Sequence, residues 1–186
     1  MIIVMGTPGA GKSTVLAEAT KSRTAWKVVN YGDLMTDIAK KKGLVQVRDE
    51  LRKLSIEQQG KLQAEVADQL SRMKGNVILD THCSINTPNG YYPGLPHFLL
   101  SKINVDALVM VGAPLDDIIG RRKSDATRVR DEQGRESLAE HVRLNEAMLA
   151  SYSVLTGAPA LMVGNANGKL EAAAKKLGAV LDAFKR

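Results

Sequence analysis

The chain has little of several features that mark whole classes of protein. Its 186 residues include one cysteine, Cys83, which excludes an internal disulfide and a four-cysteine zinc site. No run approaches the roughly 18 continuous apolar residues of a membrane span. The apolar run at residues 1–5 also lacks the preceding basic residues of a secretory signal. We therefore expect a soluble, cytoplasmic protein without a membrane partner.

Aromatic residues and linker sequences are also scarce. Aromatics make up 4% of the chain, which argues against binding of single-stranded nucleic acid by base stacking. No segment rich in Pro, Gly and Ser divides the chain and no internal repeat is visible, so residues 1–186 are predicted to form a single domain. The net charge of +6 suits an anionic ligand, whether nucleotide, nucleic acid or membrane surface.

The first fourteen residues, MIIVMGTPGAGKST, contain the most specific motif. They match G-x-x-x-x-G-K-[ST], the phosphate-binding P-loop, between a strand-like run and a helix-like run. In such a loop, main-chain N–H groups at the start of a helix converge on phosphate. Lys12 would neutralise the β- and γ-phosphates, and the Ser13 hydroxyl would bind Mg²⁺. The alternative is a glycine-rich turn that binds nothing.

Apolar runs typical of buried strands alternate with helical patterns along the chain. The five strand-like runs are residues 1–5, 26–30, 76–80, 107–113 and 159–165. This alternation predicts an α/β fold with a five-stranded parallel sheet, helices on both faces and right-handed crossovers. Parallel sheets bind ligands beyond the carboxyl ends of their strands. The P-loop, Asn30, Asp33 and Asp80 are therefore expected on one rim.

Asp80 ends the third predicted strand, where P-loop proteins place a carboxylate near Mg²⁺, directly or through water. The alternative is an aspartate that caps a turn. His82 is expected to contact a phosphate or substrate, or else to hydrogen-bond its own loop. Cys83 is expected to be a packed residue rather than a reactive one.

Six basic residues lie in a stretch with weak apolar periodicity: Arg121, Arg122, Lys123, Arg128, Arg130 and Arg135. Arginines that close over a transferred phosphoryl group stabilise its charge and exclude water. Residues 121–136 are therefore predicted to form a short lid, with a solvated basic face or an RNA-binding strip as the alternative.

Two further segments are candidates for substrate binding. Arg48 and Arg52 lie four residues apart on a short predicted helix, so they are expected to share a face and to clamp the phosphate of a second substrate. An ordinary solvated helix is the alternative. Residues 87–96, TPNGYYPGLP, are too rich in Pro and Gly for a strand or helix interior and are predicted to be a loop that shapes a pocket or crosses the surface.

The residues of the predicted site favour a phosphate group over a hydroxyl group as the acceptor of the transferred phosphoryl group. A hydroxyl acceptor benefits from a base, whereas the phosphate of a nucleoside monophosphate is already largely ionised. The predicted site is rich in Lys and Arg, although Asp33 keeps a hydroxyl acceptor open. Three functions follow: a nucleoside monophosphate kinase, a small-metabolite kinase, or a P-loop ATPase that acts as an RNA-binding assembly factor.

Five segments, GTPGAGKST, NYGD, RDELRKLS, ILDTH and NTPNGYYPGLP, resemble the archaeal-type adenylate kinases in order and spacing over nearly the whole chain. The first is shared by many P-loop proteins, whereas TPxGYxPGLP and RDExRKLS are far more specific to this family. The resemblance implies reversible, Mg²⁺-dependent transfer of phosphate from ATP to AMP, giving two ADP, on a nucleoside monophosphate kinase fold. It also implies the homotrimer found in many members.

The resemblance also implies roles for individual residues. ATP phosphates would be bound by Gly6, Thr7, Pro8, Gly9, Ala10, Gly11, Lys12, Ser13 and Thr14. AMP would be bound within a helical segment, residues 31–74, and residues 31–54 would form much of this segment. The residues that contact AMP would be Tyr31, Asp33, Arg48, Arg52, His82 and Tyr91. Lys12, Arg121, Arg128 and Arg130 would act on the transferred phosphate, and Ser13 and Asp80 would hold Mg²⁺.

The sequence departs from the wider adenylate kinase pattern at one motif. Asp80-Thr81-His82 replaces the D-G-F-P-R run of bacterial and eukaryotic adenylate kinases, so their AMP-contacting arginine and base-reading glutamine have no counterpart there. The preference for AMP over UMP or CMP therefore rests on the resemblance alone. The lid lacks cysteine and would close without zinc.

Overall fold

The computed structural model describes residues 1–87, 89–124 and 134–186, and for residue 52 the backbone alone. Five strands form a parallel sheet in the order β2-β3-β1-β6-β7. Its strands are β1 (Ile2–Gly6), β2 (Trp26–Asn30), β3 (Asn76–Asp80), β6 (Ala107–Gly112) and β7 (Ala160–Gly164). The predicted five-stranded parallel sheet is confirmed, and each strand lies within one residue of its expected bounds.

Seven α-helices and a 3-10 helix connect the strands within the described residues. They are α1 (Lys12–Thr20), α2 (Tyr31–Lys41), the 3-10 helix (Arg48–Lys53), α3 (Ile56–Ser71), α4 (His97–Leu100), α5 (Leu115–Ser124), α6 (Arg135–Thr156) and α7 (Leu170–Ala183). Two starts have clear local causes: Asn30 Oδ1 accepts the N–H of Asp33 at 3.1 Å, and Ser55 and Gln58 form a capping box. Across these described parts of the chain, no helix has the length and apolar character to span a membrane.

The core lies on both faces of the sheet. Ile3 and Met5 of β1 face one cluster with α2, α3, α4 and α6, whereas Ile2 and Val4 face another with α1 and α7. Every residue of β1 is buried, which explains its continuous apolar sequence. The edge strands β2 and β7 are partly exposed. Helices therefore cover both faces, as predicted.

The prediction that residues 87–96 form an irregular loop is wrong in part. Strands β4 (Ser84–Thr87) and β5 (Gly90–Pro93) pair as an antiparallel hairpin. Pro93 ends β5 opposite Ser84, where the missing N–H does not interrupt the ladder. A hairpin with proline at a strand end thus accommodates the composition that suggested a loop.

The short charged helix around Arg48 and Arg52 is a 3-10 helix. A 3-10 helix has about three residues per turn, so positions four apart differ by about 120° around its axis. The prediction that positions 48 and 52 share one face, which assumed an α-helix, is therefore wrong.

Candidate active site

The carboxyl ends of β1, β2 and β3 meet at one rim of the sheet. Cα partners in the sheet include Val4 with Asp80 and Asn30 with Asp80, so the ends of these strands are aligned. The side chain of Lys12, at the start of α1, forms an ion pair with Asp80 Oδ1. Asn30 Nδ2 donates to the other carboxylate oxygen at 2.8 Å. Lys12 and Asp80, which are 68 positions apart in sequence, thus meet at one site.

The P-loop connects β1 to α1, and two of its carbonyl groups, those of Pro8 and Ala10, face partners outside the loop. The carbonyl of Pro8 accepts from Arg122 Nε at 2.8 Å, and that of Ala10 accepts from Asn165 Nδ2 at 2.9 Å. In a trans peptide the following N–H points opposite to the carbonyl. The N–H groups of Gly9 and Gly11 therefore point away from these partners, toward the interior of the loop.

Gly9 and Gly11 have φ values of 97° and 81°, in the left-handed region that favours glycine. A side chain on Gly11 would also collide with Asn165. The loop therefore requires glycine at both positions to turn its amides inward. Together with the amino end of α1, these amides form an environment suited to phosphate.

Asp80 lies among the buried polar residues, and its carboxylate is engaged by Lys12 and Asn30. The side chains of Lys12 and Asp80 are 11% and 10% exposed, so the pair lies at the inner edge of the rim. The alternative interpretation, in which Asp80 caps a turn, does not account for these contacts. The pair keeps the lysine ammonium at the mouth of the P-loop.

The oxygen donors at the rim fit a Mg²⁺ ion that arrives with a nucleotide. The described residues hold no group of three or more His, Cys, Asp and Glu side chains able to bind a metal alone. Mg²⁺ commonly takes one or two protein oxygens and completes its shell with phosphates and water. One hydroxyl, Ser13, and one carboxylate, Asp80, match that requirement.

Two residues predicted to contact AMP come together beside α2. Arg48 Nη1 donates to Asp33 Oδ1 at 2.7 Å, and both side chains are more than half exposed. The side chain of Arg52 lies outside the described part of the chain. His82 is exposed on the loop that follows β3.

Two predicted AMP contacts, Tyr31 and Tyr91, pack against other parts of the protein. Tyr31 is buried in the core, where burial raises the pKa of its phenol, and its hydroxyl has no partner among the described residues. The Tyr91 ring packs against His141 with ring centroids 4.9 Å apart. These contacts account for the positions of both tyrosines through packing.

Arg121 lies over the P-loop at the end of α5. Its guanidinium donates to the carbonyls of Ala10 and Asn165 at 3.1 and 2.9 Å, and to Asn167 Oδ1 at 2.7 Å. Arg128 and Arg130 lie outside the described residues, as does most of the predicted lid. Of the three lid arginines assigned by resemblance, Arg121 is thus the one that the structure describes.

Sequence reasoning missed several residues that shape the rim. Asn165 follows β7 and holds the Ala10 carbonyl, and Asn167 binds Arg121 and the Asp117 carboxylate. Asn165 and Asn167 could have been predicted from the sequence, because ligands bind beyond the carboxyl ends of parallel strands. This rule selected Asn30 and Asp80, and it applies equally to polar residues after β7. Arg122 was assigned to the lid, yet it contacts the P-loop at Pro8.

An apolar cavity of about 450 Å³ lies beside this rim, between β6, β7, α5 and α6. Its lining includes Met110, Ile118 and Met162, and it meets the P-loop at Thr7. Neither Lys12 nor Asp80 lines the cavity, so it adjoins the P-loop at Thr7 without reaching the Lys12–Asp80 ion pair.

Known proteins match this chain at the level of sequence and of fold. A family model described as an AAA domain matches residues 5–139. Adenylate kinase from Thermoplasma acidophilum is 46% identical over 92% of this chain and 93% of its own length. Adenylate kinase from Methanocaldococcus jannaschii is 39% identical over 97% of each chain.

Solved structures support the same architecture. Shikimate kinase from Acinetobacter baumannii, in complex with shikimate, is 18% identical, with a TM-score of 0.60 over 100% of this chain and 94% of its own. Shikimate kinase from Bacteroides thetaiotaomicron is 14% identical, with a TM-score of 0.59 over 97% of each chain. At such identities the likeness shows the fold alone. The full-length matches to curated relatives go further: the chain belongs to the adenylate kinase family.

Proposed function

We propose that this adenylate kinase transfers a phosphoryl group from Mg²⁺-bound ATP to AMP, giving two ADP, at the rim where Lys12 meets Asp80. The observation that carries the proposal is this ion pair at the mouth of a loop whose amides turn inward. A polyphosphate offers Lys12 more negative charge than one carboxylate does. Binding of ATP is therefore expected to draw the lysine from Asp80 to the phosphates.

Each residue of the rim has a distinct task in this proposal. The amides of Gly9 and Gly11 hold the donor phosphates, and Lys12 neutralises charge that grows on the transferred group. Mg²⁺, held through Ser13 and Asp80, would supply further charge neutralisation. Once released by Lys12, the Asp80 carboxylate would be available to hold Mg²⁺, directly or through water.

The acceptor is proposed to bind on the other side of the transferred phosphate, within residues 31–74. The exposed Asp33–Arg48 pair supports this, because an incoming phosphate can take over the Arg48 guanidinium. His82, on the loop after β3, is exposed on the same rim. An ionised phosphate acceptor needs no base, so positioning and charge neutralisation are sufficient.

The single domain with its AMP-binding segment and a lid at residues 121–136, carrying Arg121, Arg128 and Arg130, belongs to the same proposal.

The proposal is tested with a panel of nucleoside monophosphates, each incubated with ATP and Mg²⁺. We expect AMP to be the preferred acceptor, two ADP to form per turnover and little free phosphate to appear. Preference for UMP or CMP would contradict the assigned acceptor. ATP consumption that ignores AMP but rises with RNA would instead favour the assembly-factor alternative.

A further inference from the structure

Four buried polar side chains form a continuous chain from α6 to the P-loop. They are Thr7, Ser84, His141 and Asn145, each at most 5% exposed. Ser84 Oγ lies 3.0 Å from His141 Nε2 and 2.5 Å from Asn145 Oδ1, and Asn145 Nδ2 lies 3.1 Å from Thr7 Oγ1. Three elements distant in sequence, the P-loop, β4 and α6, are thus joined inside the protein.

The position of the proton on the buried His141 ring determines which group donates in each of these hydrogen bonds. Nδ1 of His141 has no hydrogen-bond partner among the described residues. An N–H buried without an acceptor is costly, so the ring is more stable with its proton on Nε2. Burial and the nearby Arg122 guanidinium, which lower the pKa of His141, also favour this neutral form. His141 therefore donates to Ser84.

The remaining hydrogen bonds follow from that choice. Ser84 accepts from His141, so its single proton is directed to Asn145 Oδ1. The amide of Asn145 is then fixed with its NH₂ group toward Thr7, whose oxygen accepts. The hydroxyl proton of Thr7 is consequently not used within the chain.

Thr7 connects this network to the P-loop backbone. Its carbonyl accepts the N–H of Ala10 at 3.0 Å, which closes the first turn of the loop. A shift of Thr7 would therefore move the peptides that carry the Gly9 and Gly11 amides. The buried hydrogen bond to Asn145 restrains such a shift, because breaking it would leave polar atoms without partners.

We infer that Asn145 is a positioning residue for ATP binding: oriented by Ser84 and His141, it holds Thr7 so that the P-loop keeps its phosphate-binding shape. The inference rests on the proposed role of the P-loop as the ATP site. In this inference Asn145 acts through its hydrogen bond to Thr7 rather than through a contact of its own with ATP. Because AMP binds elsewhere in the proposal, the effect is specific to ATP.

The test compares Asn145→Leu, Thr7→Val and their double variant in steady-state kinetics with ATP and AMP. Each single variant is expected to raise KM for ATP about tenfold, the effect of one buried hydrogen bond. KM for AMP should change little. Because Asn145→Leu already breaks the hydrogen bond to Thr7, adding Thr7→Val to it should raise KM for ATP no further.

Tyr152→Phe is the matched control. Tyr152 also lies on α6, and its hydroxyl donates a buried hydrogen bond to the Cys83 carbonyl, next to Ser84, at 2.8 Å. It does not contact the P-loop, so this variant should lower Tm while leaving KM for ATP unchanged. An equal rise of KM in Tyr152→Phe, an unchanged KM in Asn145→Leu, or an effect near a hundredfold in the double variant would each overturn the inference.

Equilibrium binding of Mg-ATP separates failure of the inference from failure of the proposed function. If the wild type binds Mg-ATP and Asn145→Leu binds it equally well, the inference alone is overturned. If the wild type does not bind Mg-ATP, the ATP site itself is wrong.

Discussion

Asn30 donates a hydrogen bond from Nδ2 to Asp80 Oδ2 at 2.8 Å, while its Oδ1 accepts the N–H of Asp33. One side chain thus caps α2, the first helix of the proposed AMP-binding segment, and orients the carboxylate that holds Lys12. The amide is suited to both tasks because it has a donor and an acceptor.

Substitution of Asn30 can separate these two tasks. Both Asn30→Ser and Asn30→Asp keep an N-cap acceptor, but Asn30→Asp also places a second carboxylate against Asp80. We expect kcat to fall about tenfold or more in Asn30→Asp and less in Asn30→Ser, with similar Tm values. Asn76→Asp, the same change at the first residue of β3 and so at the other end of that strand from Asp80, is the control. Equal kcat in Asn30→Asp and the control would contradict the role of Asn30.

Replacing Lys12 by Met is predicted to lower kcat by about 10²–10³-fold, because the negative charge on the transferred phosphoryl group is then no longer stabilised by the lysine ammonium. The variant should still fold, although Asp80 loses its ion-pair partner. Adding Asp80→Asn should restore the lost Tm, since the unpaired carboxylate is gone, but should not restore kcat. Near-normal turnover in Lys12→Met would contradict the phosphate assignment.

The metal assignment predicts a changed Mg²⁺ requirement. Ser13→Ala removes the proposed hydroxyl ligand, so the Mg²⁺ concentration for half-maximal activity should rise about 10–100-fold. Titration of activity with Mg²⁺ at saturating nucleotide measures the shift. Ser22→Ala, a serine just beyond α1, is the control. A Mg²⁺ dependence unaltered in Ser13→Ala would argue against a ligand at this position.

The lid assignment predicts that Arg128→Ala and Arg130→Ala each lower kcat by about 10²–10³-fold, since each removes a charge from the closed site. Arg143→Ala, an exposed arginine of α6, removes the same charge elsewhere and should be neutral. Deleting residues 123–134 should raise the fraction of ATP lost to hydrolysis, because water then enters the site. Normal transfer without added hydrolysis would refute the lid.

Cys83 is predicted to resist alkylation in the folded protein. Burial raises the pKa of its thiol from 9.0 to about 12, and the thiolate is the reactive form. As pH rises above 9.0 the unfolded chain loses this proton first, so the free energy of unfolding should fall between these values. Mass spectrometry after iodoacetamide treatment, with and without urea, measures the protection. Rapid labelling of the native protein would contradict it.

The sheet and the P-loop could be predicted because their signals are local. Strands β1, β3 and β6 are buried on both faces and read as continuous apolar runs. The P-loop motif fixes its own spacing of glycine, lysine and hydroxyl.

The homotrimer stays a prediction from the family resemblance and can be tested by sedimentation.

The position of Asn165 after β7 could have been predicted to lie at the rim, but the sequence does not show which residues contact one another there. Asn145 meets Thr7 across 138 positions and Asn165 meets Ala10 across 155, and no periodicity spans such distances. The β4–β5 hairpin was missed because four-residue strands are too short for alternation to be distinguished from a loop. The 3-10 helix was missed because helical spacing over six residues does not separate it from an α-helix.

The central claim is that the P-loop and Lys12 hold one nucleotide while a second is brought toward it in line. A structure with Mg²⁺ and a dinucleoside pentaphosphate, which joins both nucleotides, tests it most directly. We predict phosphates against the Gly9 and Gly11 amides, with Lys12 Nζ moved from Asp80 to a phosphate oxygen. A ligand bound elsewhere, with the Lys12–Asp80 ion pair intact, would contradict the account.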